Sequence, residues 1–89
     1  MINFHARDVA ESDSVASVID KSRKKYPRAE ELFSGLQWVL ARDPHRGVQV
    51  SNPYWLIKTA DSNAPGVPVI TALYRFDDDR VEIEAIRIQ

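Results

Sequence analysis

The chain has 89 residues, 44% of them hydrophobic and 28% charged, which are proportions of a globular domain rather than of a disordered or membrane-embedded chain. Twelve basic against thirteen acidic side chains leave a formal charge of −1, so the global field lacks the positive excess that phosphate neutralisation asks of a dedicated nucleic-acid binder. Cysteine is absent, which excludes disulfides, thiolate metal sites and cysteine nucleophiles and permits a cytoplasmic address.

This length supports one domain, spanning 1–89, that buries only about 60–65% of the surface its unfolded chain exposes. The longest uncharged apolar-rich run, near Val67–Tyr74, falls far short of the roughly 20 residues of a membrane span. The first residues, Met1 to Asp8, carry no basic segment followed by an apolar core, so no secretory signal is expected.

Ile2 and Phe4 alternate with polar neighbours and predict a short first strand. Ala6, Val9 and Ala10 leave open an early helix start, but Ser12 or Asp13 is a cleaner cap for the first helical turn. Val15, Val18, Ile19, Ser22 and Tyr26 then recur at helical spacing until Pro27, which disfavours helical geometry at Tyr26. Proline suits the first position of a second helix, with Glu30 and Glu31 in its first turn where the dipole favours negative charge. Ala29, Leu32, Phe33, Leu36, Val39 and Leu40 form its apolar stripe, and Gly35 within it points to close packing of the two helices. Asp43-Pro44 and Gly47 end the element.

The period then changes to two. Tyr54–Thr59 reads as a strand, residues 62–66 as a turn-rich loop, and Val67–Phe76 as a central strand apolar on both faces. Asp77-Asp78-Asp79 makes an acidic turn into a last strand, Arg80–Gln89, with Val81, Ile83 and Ala85 on one side and Glu82 and Glu84 on the other. The order β-α-α-β-β-β predicts an α+β fold, a helical hairpin packed on one face of a small antiparallel sheet. Trp38 and Trp55 are expected in the core or at its edge.

Three segments carry a family resemblance. The second helix leads from Leu36-Gln37-Trp38 into Asp43-Pro44-His45-Arg46-Gly47, a Pro-x-x-Gly exit; Leu56-Ile57-Lys58 follows; and Ile70–Ile86 reads aliphatic–Tyr–x–aliphatic, acidic turn, Val-x-Ile. In this order and spacing the chain resembles the RelE/ParE toxin superfamily of type II toxin–antitoxin systems over essentially its whole length. The resemblance implies a small toxin that cleaves mRNA at the ribosome or inhibits DNA gyrase, neutralised by a cognate antitoxin that wraps its sheet and helices. It implies no cofactor. A homodimer or a hetero-oligomer with the antitoxin is the expected assembly.

RNA cleavage needs help for the attacking 2′-hydroxyl, charge at the phosphate and a proton for the leaving oxygen. RNA-cutting relatives draw these from basic residues on the open sheet face and a C-terminal Arg and Tyr. Of these, the resemblance matches Lys58. The next arginine position falls near Thr71, and the sequence ends at Gln89, before the C-terminal pair is expected. Arg75 and Arg87 are the nearby cations that would complete a catalytic set with Lys58 in a ribonuclease. With Ile57, Tyr74 and Phe76 facing the helices, the open face displays Tyr54, Leu56, Lys58, Leu73 and Arg75, and carboxylates from Glu82 and Glu84 are expected to pair with the cations and repel phosphate.

Two further groups are candidate binding residues. Lys21, Lys24, Lys25 and Arg28 fall on one basic stripe in a helix reaching Tyr26, either a docking strip for nucleic acid or an acidic antitoxin segment, or, as we prefer, a solvated face suited to the helix C-terminus. His45 and Arg46 in the Pro-x-x-Gly exit can meet a phosphate or an acid, although a solvated loop is the plainer account. No acidic cluster stands near His5 or His45 at metal-ligand spacing, so no metal site is expected. The favoured reading is a toxin that arrests growth by binding an essential target, ParE-like, with DNA gyrase the candidate. The alternatives are a RelE-like endoribonuclease acting on mRNA at the ribosome and a degenerate, non-toxic relative.

Overall fold

The computed structural model describes residues 6–60 and 64–89. Its elements are β1 (Asp8–Glu11), α1 (Asp13–Ser22), α2 (Ala29–Arg42), a 3-10 turn (Pro44–Arg46), β2 (Val48–Ser51), β3 (Tyr54–Lys58), β4 (Ile70–Phe76) and β5 (Arg80–Ile88). The strands form one five-stranded sheet in the order β1-β5-β4-β3-β2, and both helices pack on one of its faces. This is the expected α+β architecture with two differences in the sheet. Ile2 and Phe4 lie outside the described residues, and the first described strand is Asp8–Glu11, which runs parallel to β5 and makes the sheet mixed rather than wholly antiparallel. An additional edge strand, β2, pairs antiparallel with β3. Its four residues are all exposed, so no buried face imprints alternation on Val48-Gln49-Val50-Ser51.

Ser12 caps α1 and also moors it. Its Oγ accepts from the Val15 amide at 3.3 Å and donates to the Glu84 carbonyl at 3.1 Å, while its own amide donates to the Ile83 carbonyl. The helix stops at Ser22 rather than reaching Tyr26. Ser22 Oγ turns back to the Ile19 carbonyl at 2.7 Å, and Pro27 restricts the geometry of Tyr26, so the chain turns through Arg23–Lys25. Pro27 is correspondingly not the first residue of α2, which begins at Ala29 after an Arg28 that provides no side-chain cap.

Val15 and Ile19 of α1 and Phe33, Leu36 and Leu40 of α2 meet Ile70, Ala72, Tyr74, Val81 and Ile83 of the sheet in one continuous core. Gly35 does not face α1. It lies on the solvent side of α2, and a Cβ there would touch nothing within 4 Å. Trp38 is likewise on the outside, 59% exposed, whereas Trp55 packs against the core.

The Pro-x-x-Gly exit is a docking device. Pro44 is fully buried, and the Tyr74 hydroxyl donates to its carbonyl from the sheet. Gly47 comes so close to β3 that a Cβ would overlap both the Leu56 carbonyl oxygen and the Tyr74 hydroxyl. Burial raises the Tyr74 pKa above its ordinary 10.0, with the Gly47 amide opposing and Asp43 adding to the rise.

The pairing of β4 with β5 contains a bulge. Leu73 is opposite Ala85 but Tyr74 is opposite Ile83, which leaves Glu84 as the extra residue. The inside–outside alternation of β5 therefore changes phase. Val81 and Ile83 enter the core, then Ile86 and Ile88 continue it, while Ala85, expected beside Val81 and Ile83, faces out.

Candidate protein-binding face

Alternation along β3, β4 and β5 builds the sheet face opposite the helices. In the first cross-strand row, Lys58 on β3 is in register with Thr71 on β4, which is in register with Arg87 on β5. Two strand spacings of about 4.8 Å separate the cation-bearing backbones, with a hydroxyl between them. Among the described residues neither Lys58 nor Arg87 has a carboxylate at ion-pair distance.

The adjacent row is apolar. Val48 on β2, Leu56 on β3, Leu73 on β4 and Ala85 on β5 run side by side across the sheet. Val48 is 69% and Val50 51% exposed, and together with Leu56 they line a shallow groove beside Arg46, Lys58 and Thr71. No charged residue occurs from Gly47 to Ile57, so the β2 edge is uncharged and the groove's charges are those of Arg46 and Lys58.

Arg75 holds the next row. Its Nη2 and Nε lie 2.8 and 3.1 Å from Glu82 Oε2, and Nε lies 3.1 Å from Glu84 Oε1. These carboxylates, Glu82 foremost, raise its pKa further and tie up its donors. The expected pairing with Glu82 and Glu84 is therefore present at Arg75 and does not extend to Lys58. Of the proposed catalytic cations, Lys58 and Arg87 share a row, while Arg75 lies four residues from Thr71, about 13 Å along the strand.

The remaining candidates disperse. Lys21 alone is helical; Lys24 and Lys25 occupy the turn after α1, and Arg28 precedes α2, so the single basic stripe does not form. Arg28 pairs with Glu31 at 3.4 Å, and Arg23, absent from the proposed stripe, bridges Asp20 at 3.7 Å and Glu30 at 3.4 Å. Lys25 lies 5.4 Å from the Tyr26 ring centre. His45 is not merely solvated: its ring, though exposed, stands edge-on to Phe76 at 4.8 Å and to Trp55 at 5.5 Å. Arg46 lines the apolar groove, and Tyr54 adjoins the Arg75 row.

Sequence reading missed Val48, Val50 and Ala85, which widen the apolar row. The uncharged run from Gly47 to Ile57 was the available signal for the two valines; Ala85 depended on the bulge. Arg7 was also missed. It donates through Nε to the Asp77 carbonyl at 2.7 Å and lies 5.7 Å from the Phe76 ring centre. Among the described residues no group of three His, Asp or Glu converges to hold a metal, and no helix is long and apolar enough to cross a membrane.

No family model, curated protein or solved structure matches this chain.

Proposed function

We propose that this protein is a RelE/ParE-like toxin component that arrests growth by binding an essential protein target, with DNA gyrase the candidate, through the open face of its sheet. The observation that supports this reading is the middle of that face. An apolar row, Val48–Leu56–Leu73–Ala85, lies where a phosphate-cutting site needs converging cations, and Arg75 beyond it is neutralised by two carboxylates. A surface of this kind suits an amphipathic helix or an added strand, the first on the sheet and the second along β2. An antitoxin that covered the same row would compete with the target.

Induced expression tests the reading. The unsubstituted protein should arrest growth, Leu56→Asp and Leu73→Asp should abolish arrest while leaving the fold intact by circular dichroism, and Lys58→Ala should retain it. Absence of growth arrest from the unsubstituted protein would leave the degenerate, non-toxic relative as the correct account.

One observation favours a second reading, an mRNA endoribonuclease at the ribosome: the Lys58–Thr71–Arg87 row offers two cations flanking a hydroxyl. There, Lys58→Ala and Arg87→Ala would both end toxicity together with cleavage of ribosome-bound mRNA.

A further inference from the structure

Two unexplained features sit next to each other on the outer face of α2. Gly35 interrupts a 14-residue helix that alanine would favour, with no neighbour within 4 Å that requires its bareness. Trp38, one turn on, is 59% exposed, the largest side chain so displayed among the described residues. It is also held. The Arg42 guanidinium lies 4.0 Å from its ring centre, and Arg42 Nη1 donates to the Trp38 carbonyl at 3.1 Å.

Glu31, Gly35, Trp38 and Arg42 are spaced four, three and four residues apart. That spacing is a coiled-coil seam, opposite the side on which Phe33, Leu36 and Leu40 enter the core. The pair Gly35/Trp38 and the pair Glu31/Arg42 share one midpoint, between Leu36 and Gln37. A second α2 laid antiparallel across the first, with a two-fold axis through that midpoint, therefore sets each Trp38 over the partner's bare Gly35. It also sets each Glu31 against the partner's Arg42. Ser34 and Val39, which flank the seam and share the midpoint, are uncharged and bring no like-charge clash. Knob, hole and both charges all lie on one surface, the self-complementarity that a two-fold interface requires.

We infer that the outer face of α2 is a homodimerisation surface, in which Trp38 of one copy packs on Gly35 of the other between reciprocal Glu31–Arg42 pairs. The bare glycine lets the axes approach to the near end of the 8–10 Å range of packed helices. The contact is a single helix pair, so the dimer is weak and reversible rather than obligate. It lies on the side of the helices away from the sheet and leaves both open sheet faces outward. It stands independently of the toxin reading.

Sedimentation equilibrium of the full chain, from low micromolar to near-millimolar concentration, decides the matter. The unsubstituted protein should pass from monomer to dimer, and Trp38→Ala should remain monomeric. Gly35→Gln should also remain monomeric while melting at a higher temperature, a combination that separates a filled gap from a damaged fold. Glu31→Arg and Arg42→Glu each reverse one charge in both symmetry-related pairs and should weaken dimerisation about fivefold or more. The double reversal should recover most of that loss. A protein that stays monomeric throughout, or a dimer indifferent to these substitutions and so built on another surface such as the β2 edge, would overturn the inference.

Discussion

Replacing Tyr74 with phenylalanine removes one oxygen from the most protected point of the fold. The side chain is fully buried, and its hydroxyl is the partner of the Pro44 carbonyl in the 3-10 turn. The ring remains, stacked 6.1 Å from Phe76, so the change isolates the hydrogen bond from the packing. A buried carbonyl left without its donor costs about 1–3 kcal/mol. At about 4–8 °C per kcal/mol for a domain of this size, a loss of about 2 kcal/mol lowers the melting temperature by about 8–16 °C. The pH dependence supplies a second readout with a definite sign. Tyr74 has a raised pKa when folded, so its contribution is fully present below the ordinary value of 10.0 and is lost as pH rises through the raised one. The stability gap between the two proteins should therefore narrow in alkali. Thermal melts at neutral pH and at several pH values above 10 measure both effects. An unchanged melting temperature, or parallel alkaline slopes, would refute the role assigned to this hydroxyl.

Gly35→Ala should raise stability by about 1 kcal/mol, since it improves helix propensity at a position with open space around it; a melt at dilute concentration measures this. Gly47→Ala should do the reverse, costing at least about 1–3 kcal/mol because the new Cβ meets β3 backbone and the Tyr74 hydroxyl; chemical denaturation quantifies the loss. Asp77 has a depressed pKa because its Oδ1 accepts from the amides of Asp79 and Arg80 at 2.8 and 2.9 Å. Its stabilisation is present above the ordinary 3.8 and disappears as pH falls through the lowered value, so Asp77→Asn should remove that acid step, read by carboxyl NMR titration with melts below pH 5. Deleting Glu84 should remove the bulge while keeping Leu73 opposite Ala85 and Tyr74 opposite Ile83, so simple alternation holds Val81, Ile83, Ile86 and Ile88 on the core side; chemical denaturation should show that the cooperative unfolding transition survives.

The fold was legible wherever burial imposes a period. Val15 and Ile19, the α2 stripe apart from Val39, and the β3–β5 meander declared themselves through spacing, as did the open-face positions of Tyr54, Leu56, Lys58, Leu73 and Arg75. What stayed hidden obeys other physics. The residues Val9 and Ala10 compose a strand only because β5 is there to accept it in parallel, and no local pattern encodes a partner some seventy residues away. Strand β2 has no buried face and so no alternation to read. The bulge at Glu84 reversed the side assigned to Ala85, because alternation cannot register an inserted residue. Trp38 was placed by hydrophobicity in the core, yet its position on the helix wheel faces away from it. For the candidate site, strand alternation gave the face but not the rows. That Lys58 and Arg87 flank Thr71, while Arg75 is captured by two acids, follows from cross-strand register.

The parallel pairing of β1 with β5 bears on synthesis as well as stability. Ser12, which starts α1, is secured by the carbonyls of Ile83 and Glu84, so a nascent chain can coil its helices early but cannot anchor them until β5 has left the ribosome. A chain interrupted before Arg80 lacks the strand that holds its beginning and contributes Ala85 and Arg87 to the open face. Fragments released before β5 is made are thus incompetent by construction, because only a chain that includes this strand can present the whole surface.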